Sequence, residues 1–148
     1  MTSEMRRLYH KVILDHSKQP RNFRRLAGAR MAEGYNPLCG DKVTVYVDVQ
    51  DGTVRDVAFQ ASGCALSTAS ASLMSEALKG KSEAEAAQLF DRFHTLVTAG
   101  APALAAGLGE LVVFAGVSAF PSRVKCAILA WQTLRAAMKG DAATVSTE

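Results

Sequence analysis

Four side chains with the chemistry of metal ligands lie at three separate points of the 148-residue chain: Cys39 with Asp41, then Cys64, then Cys126. Three thiolates and one carboxylate suit a tetrahedral zinc ion or one iron of an iron–sulfur cluster. The chain has only these three cysteines and no Cys-x-x-Cys pair, so their spacing by itself is a weak metal signal. The cysteines could also be small buried core residues, and this reading stays open at the level of composition.

The first two donors share one turn, residues 36–41, with the sequence Asn-Pro-Leu-Cys-Gly-Asp. Pro37 fixes one backbone angle, and Gly40 removes the steric limit between Cys39 and Asp41. Two donors spaced i, i+2 in such a loop can face the same ion. The turn therefore predicts one half of a metal site.

The other two donors are predicted near helix starts. Free N–H groups and the positive end of the helix dipole favour thiolate over thiol at Cys64, and to a smaller degree at Cys126. Arg123 and Lys125 flank Cys126. These cations either offset the excess negative charge of three thiolates and a carboxylate or are simply solvated, and the sequence supports the two readings equally.

Hydrophobic periodicity predicts the elements that position these residues. Alternating valines indicate a half-buried strand over 42–50, and Asp51-Gly52 indicates a hairpin to a second strand over 53–60. Ser82 and Glu85 form the pattern of a capping box. The predicted helices are 3–18, 65–79, 83–98 and a last helix from Pro121 to about residue 139. A short strand is predicted near 29–33 and a loop or frayed helix over 99–109. Residues 110–117 are ambiguous: their composition favours a strand, and a short helix turn is the alternative.

This element order indicates an α+β fold with a small antiparallel sheet of about three strands and helices packed mainly on one face. Residues 1–139 are predicted to form a single domain, and residues 140–148 a flexible tail. Each cysteine falls at an element boundary, and in a compact sheet-and-helix domain these boundaries can meet at one end. His10, His16 and His94 are expected at the surface or at partner contacts, and Trp131 in the core.

Composition limits the function classes. The net charge is +3, with an excess of Lys and Arg in residues 1–30, but no nucleic-acid motif accompanies this basic segment and aromatic content is low. No apolar run approaches the ~18 residues that cross a bilayer. The first residues lack the apolar core of a signal peptide, and the cysteine usage fits a reducing compartment. We expect a cytoplasmic protein that binds neither nucleic acid nor membrane.

Three motifs in order resemble the IscU/SufU family of iron–sulfur cluster assembly proteins, which is related to the NifU N-terminal domain. They are the turn at 36–41, residues 63–72 (Gly-Cys-Ala-Leu-Ser-Thr-Ala-Ser-Ala-Ser), and residues 120–131 around Cys126; the opening segment 8–16 with Pro20-Arg21-Asn22 is also similar. The resemblance covers about residues 5–135. Lys125 stands where IscU-type proteins carry His, and residues 82–109 look like the extra segment of SufU-type proteins, so the resemblance favours the SufU branch.

The resemblance implies a bound zinc and transfer of persulfide sulfur from a PLP-dependent, SufS-type cysteine desulfurase. By motif match, Cys39 is the sulfur acceptor, and Asp41, Cys64 and Cys126 complete the metal ligands. Such a protein is a sulfurtransferase-like acceptor rather than a conventional turnover enzyme, and it passes sulfur to a downstream Suf scaffold or to apo iron–sulfur proteins. The alternatives are a scaffold that assembles and transfers a transient [2Fe–2S] cluster, and a zinc-stabilised interaction domain.

Two positions depart from the family pattern. Ala61 stands where a second glycine is usual, and Ala would be strained there if the site needed a positive φ. Residues 119–123 (Ala-Phe-Pro-Ser-Arg) replace the Leu-Pro-Pro-Val-Lys segment that IscU-type proteins present to an Hsp70-type chaperone. The second departure argues against delivery through such a chaperone.

Overall fold

The computed structural model describes residues 3–100, 107–140 and 145–146. Within these ranges the chain forms helices and strands that follow the predicted order closely, with one 3₁₀ helix between α3 and α4. The elements are α1 Ser3–Lys18, β1 Arg30–Asn36, β2 Asp41–Gln50, β3 Thr53–Ser62, α2 Ala65–Leu78, α3 Glu83–Ala99, the 3₁₀ helix Gly109–Val117, α4 Pro121–Met138 and β4 Val145–Ser146.

The sheet has the strand order β3-β2-β1-β4. The three long strands are antiparallel, and the two-residue turn at Asp51-Gly52 joins β2 to β3 as predicted, since Gln50 pairs with Thr53. The short strand β4 adds to β1 in parallel, so the sheet is mixed and has four strands rather than about three antiparallel ones. The α+β fold class is confirmed.

Two helices pack on the sheet, and the others pack on those two or on the 3₁₀ helix. α2 and α4 pack on the sheet, α1 packs on α2, and α3 packs on the 3₁₀ helix and α4. Trp131 of α4 is buried, as expected, and stacks on Phe93 of α3 with ring centroids 4.4 Å apart. The capping box of α3 at Ser82 and Glu85 is present. None of the described helices is both long and apolar enough to cross a membrane.

Three expectations differ from the structure. Residues 110–117, for which composition favours a strand over a short helix turn, lie in the 3₁₀ helix, where four of their apolar side chains are buried. His16 is buried rather than at the surface, and its Nδ1 lies 2.7 Å from Ser72 Oγ across the α1–α2 interface. Part of the predicted tail, Val145–Ser146, pairs with β1, because that strand has a free edge.

The remaining expectations fall partly outside the described residues. Of the loop predicted over 99–109, residues 101–106 lie outside them, as do residues 141–144 and 147–148 of the predicted tail. The predicted insertion, residues 82–109, includes the whole of α3. Its assignment as a SufU-type insertion remains a prediction.

Candidate metal centre

The turn between β1 and β2 presents Cys39 at its tip. Asn36 and Asp41 are paired at the ends of the two strands, and the Cys39 N–H donates to the Asn36 carbonyl oxygen over 3.3 Å. Gly40 has φ +70, a conformation that side chains disfavour, and this reverses the chain into β2. Cys39 is therefore exposed, whereas Asp41, two residues later, is only 1% exposed.

Cys39, Asp41 and Cys126 form a close group. One ligand atom from each lies within 4.8 Å of the others, and Cys126 Sγ is 3.4 Å from Cys39 Sγ. In a tetrahedral zinc site with Zn–S bonds of about 2.3 Å, two sulfurs lie about 3.8 Å apart. The spacing of these three side chains, from β2, the preceding turn and α4, is thus of the size that a single ion spans.

Cys64 borders this group through Asp41. Its Sγ lies 3.7 Å from Asp41 Oδ2, and its backbone N–H donates to Asp41 Oδ1 over 2.7 Å. Its Sγ is not among the atoms that all lie within 4.8 Å of one another. Cys64 is also the N-cap of α2, as predicted, where its Sγ accepts from the Ser67 N–H. The structure therefore brings all four predicted residues to one end of the sheet, with Cys64 slightly apart.

Cys64 and Cys126 differ in acidity. A hydrogen bond from Cys126, helped by the Ser67 N–H, lowers the pKa of Cys64 to about 7. The same interaction, together with burial, raises the pKa of Cys126 above that of an ordinary thiol. Cys64 is therefore the readier thiolate, as its N-cap position predicts. The expectation of a smaller gain at Cys126 is wrong, because burial beside a second sulfur outweighs the helix start.

Gly63 leaves the space that Asp41 needs. A Cβ at this position would lie 2.3 Å from Asp41 Oδ1 and 2.8 Å from Asp41 Cα, and Gly63 has φ +144. The close approach aligns the Cys64 N–H with the carboxylate. Ala61 is not strained by a positive φ, since Asn22 and Asp51 are the only non-glycine residues with positive φ among those described. A buried carboxylate held against two sulfurs by such a fit is a donor set that suits zinc.

One residue that the structure places at the site is not among those predicted from the sequence. Asn36 is fully buried, and its Nδ2 lies 3.2 Å from Asp41 Oδ2 and 3.4 Å from Cys126 Sγ. Its only signal in the sequence is an amide placed before proline in a ligand-bearing turn. A local pattern does not reveal that its side chain reaches α4.

The rim of the site is apolar and basic. Leu38 is 65% exposed beside Cys39, and Phe120 is 46% exposed just before α4. The Arg123 guanidinium carbon lies 4.4 Å from the centroid of the Phe120 ring. From α1, the half-buried Tyr9 faces the same region: burial raises its pKa, and the charge of Arg123 acts against that rise. Exposed apolar side chains thus lie next to Cys39 in the turn and just before α4, the helix that carries Cys126.

Comparison with known proteins gives a consistent result. The model of the NifU-like N terminal domain matches residues 8–127. The iron–sulfur cluster assembly scaffold protein IscU of Streptococcus pyogenes serotype M1 is 40% identical over 140 residues, which cover 95% of this chain and 88% of the relative. The zinc-dependent sulfurtransferase SufU of Bacillus subtilis (strain 168) is 37% identical over 127 residues, 86% of each chain.

Solved structures agree with these relatives. A crystal structure from Fervidobacterium islandicum AW-1, described as a candidate iron–sulfur cluster assembly scaffold protein for the SUF system, superimposes with a TM-score of 0.80. It is 34% identical in sequence, and the match covers 90% of this chain and 97% of that one. The match therefore includes nearly the whole of both chains.

Proposed function

This chain belongs to the family of NifU-like N-terminal domains, which includes the IscU- and SufU-type iron–sulfur cluster assembly proteins, and we propose that it acts there as a zinc-dependent sulfur acceptor. Its sulfur comes from the persulfide of a PLP-dependent, SufS-type cysteine desulfurase. The relatives are named for two roles, scaffold and zinc-dependent sulfurtransferase, and the sulfur acceptor corresponds to the second.

The observation that carries the proposal is the unequal exposure of the donors. Cys39 is exposed at the tip of a turn, whereas Asp41 and Cys126 are 1% and 3% exposed and Cys64 is half-buried. A sulfur acceptor needs one thiol that a partner can reach and a remaining set that stays in place. This arrangement supports Cys39 as the acceptor.

Cys39, Asp41, Cys64 and Cys126 are the residues proposed to hold the zinc. Zinc, when bound, stabilises thiolates at neutral pH and holds its donors in a tetrahedron. The spacing of Cys39, Asp41 and Cys126 and the Gly63 gap beside Asp41 both fit this role. Cys39 is the donor that a desulfurase can reach, because its side chain is exposed at the tip of the turn.

The chemical step is a thiol exchange. The Cys39 thiolate attacks the terminal sulfur of the donor persulfide, R–S–SH, and a bond forms between Cys39 Sγ and that sulfur while the donor S–S bond breaks. The donor cysteine leaves as a thiolate with the electron pair of the broken bond, and the proton stays on the transferred sulfur. One S–S bond replaces another, so no further oxidant is required. The product, a persulfide on Cys39, is passed to a downstream Suf scaffold or to apo iron–sulfur proteins.

The scaffold role is the alternative, and the relatives named as scaffolds favour it. Three thiolates and a carboxylate can also bind a [2Fe–2S] cluster. Anaerobic reconstitution separates the two roles. A stable cluster that transfers to an apo protein supports the scaffold, whereas tight zinc and no cluster transfer support the sulfur acceptor.

The direct test uses Cys39→Ala with a purified cysteine desulfurase and cysteine. We expect the wild-type chain to gain the mass of one sulfur atom at Cys39 and to stimulate desulfurase turnover, and we expect the variant to do neither. Its circular dichroism spectrum should match that of the wild type, because Cys39 is exposed. Normal sulfur uptake by Cys39→Ala would refute the assigned role.

A further inference from the structure

Asn36 connects two of the proposed ligands that come from different elements. It is the last residue of β1, and its Nδ2 donates to Asp41 Oδ2 at the start of β2 and to Cys126 Sγ in the second turn of α4. Its side chain is fully buried. One amide group therefore spans the gap between the sheet and the last helix.

The orientation of this amide follows from its neighbours. Rotating it by half a turn would direct Oδ1 at a carboxylate and a sulfur, which accept hydrogen bonds, and would lose both contacts. In the observed orientation Asn36 Oδ1 is buried without a hydrogen-bond partner among the described residues. An unpaired buried carbonyl destabilises a fold. An amide whose NH₂ group bonds two proposed ligands while its carbonyl stays unpaired thus indicates a role beyond stability.

The proposed ligands differ in what holds them. Asp41 accepts from the Cys64 N–H and from Asn36, and Cys64 accepts from the Ser67 N–H. Cys126 Sγ has Asn36 as its amide donor. Hydrogen bonds to anionic ligands fix their orientation and are stronger than those to neutral groups. Hydrogen bonds from the protein therefore orient Asp41, Cys64 and Cys126.

We infer that Asn36 is a positioning residue of the metal centre: its Nδ2 hydrogens hold Asp41 and Cys126 in ligand geometry, so that both stay in place when Cys39 is withdrawn. This inference rests on the metal site of the proposed function. In this role Asn36 contacts neither the desulfurase persulfide nor the metal, and it acts through its hydrogen bonds to Asp41 and Cys126.

The test compares two variants that remove the amide. Asn36→Leu keeps a similar side-chain size, and Asn36→Ala is smaller and cannot clash. The matched control is Ser75→Ala, which removes a buried hydroxyl that bonds the Ser72 carbonyl oxygen and accepts from Asn22, away from the site. Zinc affinity is measured by competition with a chromophoric chelator, geometry by the absorption of the Co²⁺-substituted protein, and folding by metal-free thermal melting.

We expect both Asn36 variants to fold without metal, to lose about 10- to 100-fold in zinc affinity, and to show altered thiolate-to-cobalt bands. Ser75→Ala should lower the melting temperature and leave affinity and spectrum unchanged. Wild-type affinity and spectrum in both Asn36 variants would overturn the inference, as would failure of both to fold without metal, since the role would then be structural. Absence of zinc binding by the wild-type chain would instead contradict the proposed function itself.

Discussion

At the scale of single residues, the site combines one accessible thiol with two protected ones that differ in acidity. Cys39 is exposed, Cys64 is half-buried with a pKa lowered to about 7, and Cys126 is buried with a raised pKa. The cause is local: hydrogen bonds to Cys64, one of them at a helix N-terminus, lower its pKa, while the interaction with Cys64 and burial raise the pKa of Cys126. Exposure and acidity therefore divide the three cysteines into different chemical roles.

This division predicts the order of alkylation in metal-free protein. Iodoacetamide should modify Cys126 last, because it is buried and its pKa is raised. The rate at Cys64 should increase between pH 6 and 8 with a midpoint near 7, since alkylation requires the thiolate. Peptide mass mapping over time gives the rate at each cysteine. Modification of Cys126 ahead of the other two would contradict the assignment.

At the scale of elements, the junction of β3 and α2 positions Asp41 as much as the turn that carries it. β3 ends opposite the start of β2, and Gly63 then passes so close to Asp41 that a side chain does not fit. This approach directs the Cys64 N–H at Asp41 Oδ1 and begins α2 at Cys64. The junction between β3 and α2 thus positions both Asp41 and Cys64.

Gly63→Ala should therefore displace Asp41 and weaken zinc binding. The added Cβ would meet Asp41 Oδ1 at 2.3 Å and would also be strained at φ +144. The control is Gly52→Ala, where φ is +72 and nothing lies within 4 Å of the added Cβ, so that it carries backbone strain of about 1–2 kcal/mol alone. Both variants should lower the melting temperature, but only Gly63→Ala should lower zinc affinity in chelator competition. Equal affinities would show that the contact with Asp41 is unimportant.

At the scale of the whole molecule, the proposed metal joins segments that are far apart in sequence. Cys39 and Cys126 are in contact although 87 positions separate them, and Asp41 and Cys64 meet across 23. The turn after β1, the start of α2 and the second turn of α4 would all be cross-linked by one ion. A ligand that binds only the folded chain stabilises it by mass action.

Removal of the metal should therefore lower global stability. At a free zinc concentration 100 times the dissociation constant, binding contributes about 2.7 kcal/mol to the free energy of unfolding. Thermal melts of the chain with zinc, with chelator and with zinc restored measure the effect. The gain should disappear in Asp41→Ala. A melting temperature that changes with neither chelator nor added zinc would argue against a structural link through the metal.

Sequence alone determined the elements whose signals are local: the valine alternation of β2, the Asp51-Gly52 hairpin, the capping box at Ser82 and the turn that presents Cys39. Motifs that stand in family order also predicted the four proposed donors, Cys39, Asp41, Cys64 and Cys126, and the structure brings these residues to one end of the sheet. Only the tertiary structure decided that Cys126 reaches Cys39, that Asn36 bridges β2 and α4, that His16 is buried against Ser72, and that residues 110–117 form a 3₁₀ helix. The physical reason is that periodicity and turn chemistry depend on neighbours in sequence, whereas burial and hydrogen-bond partners depend on which segments meet after folding.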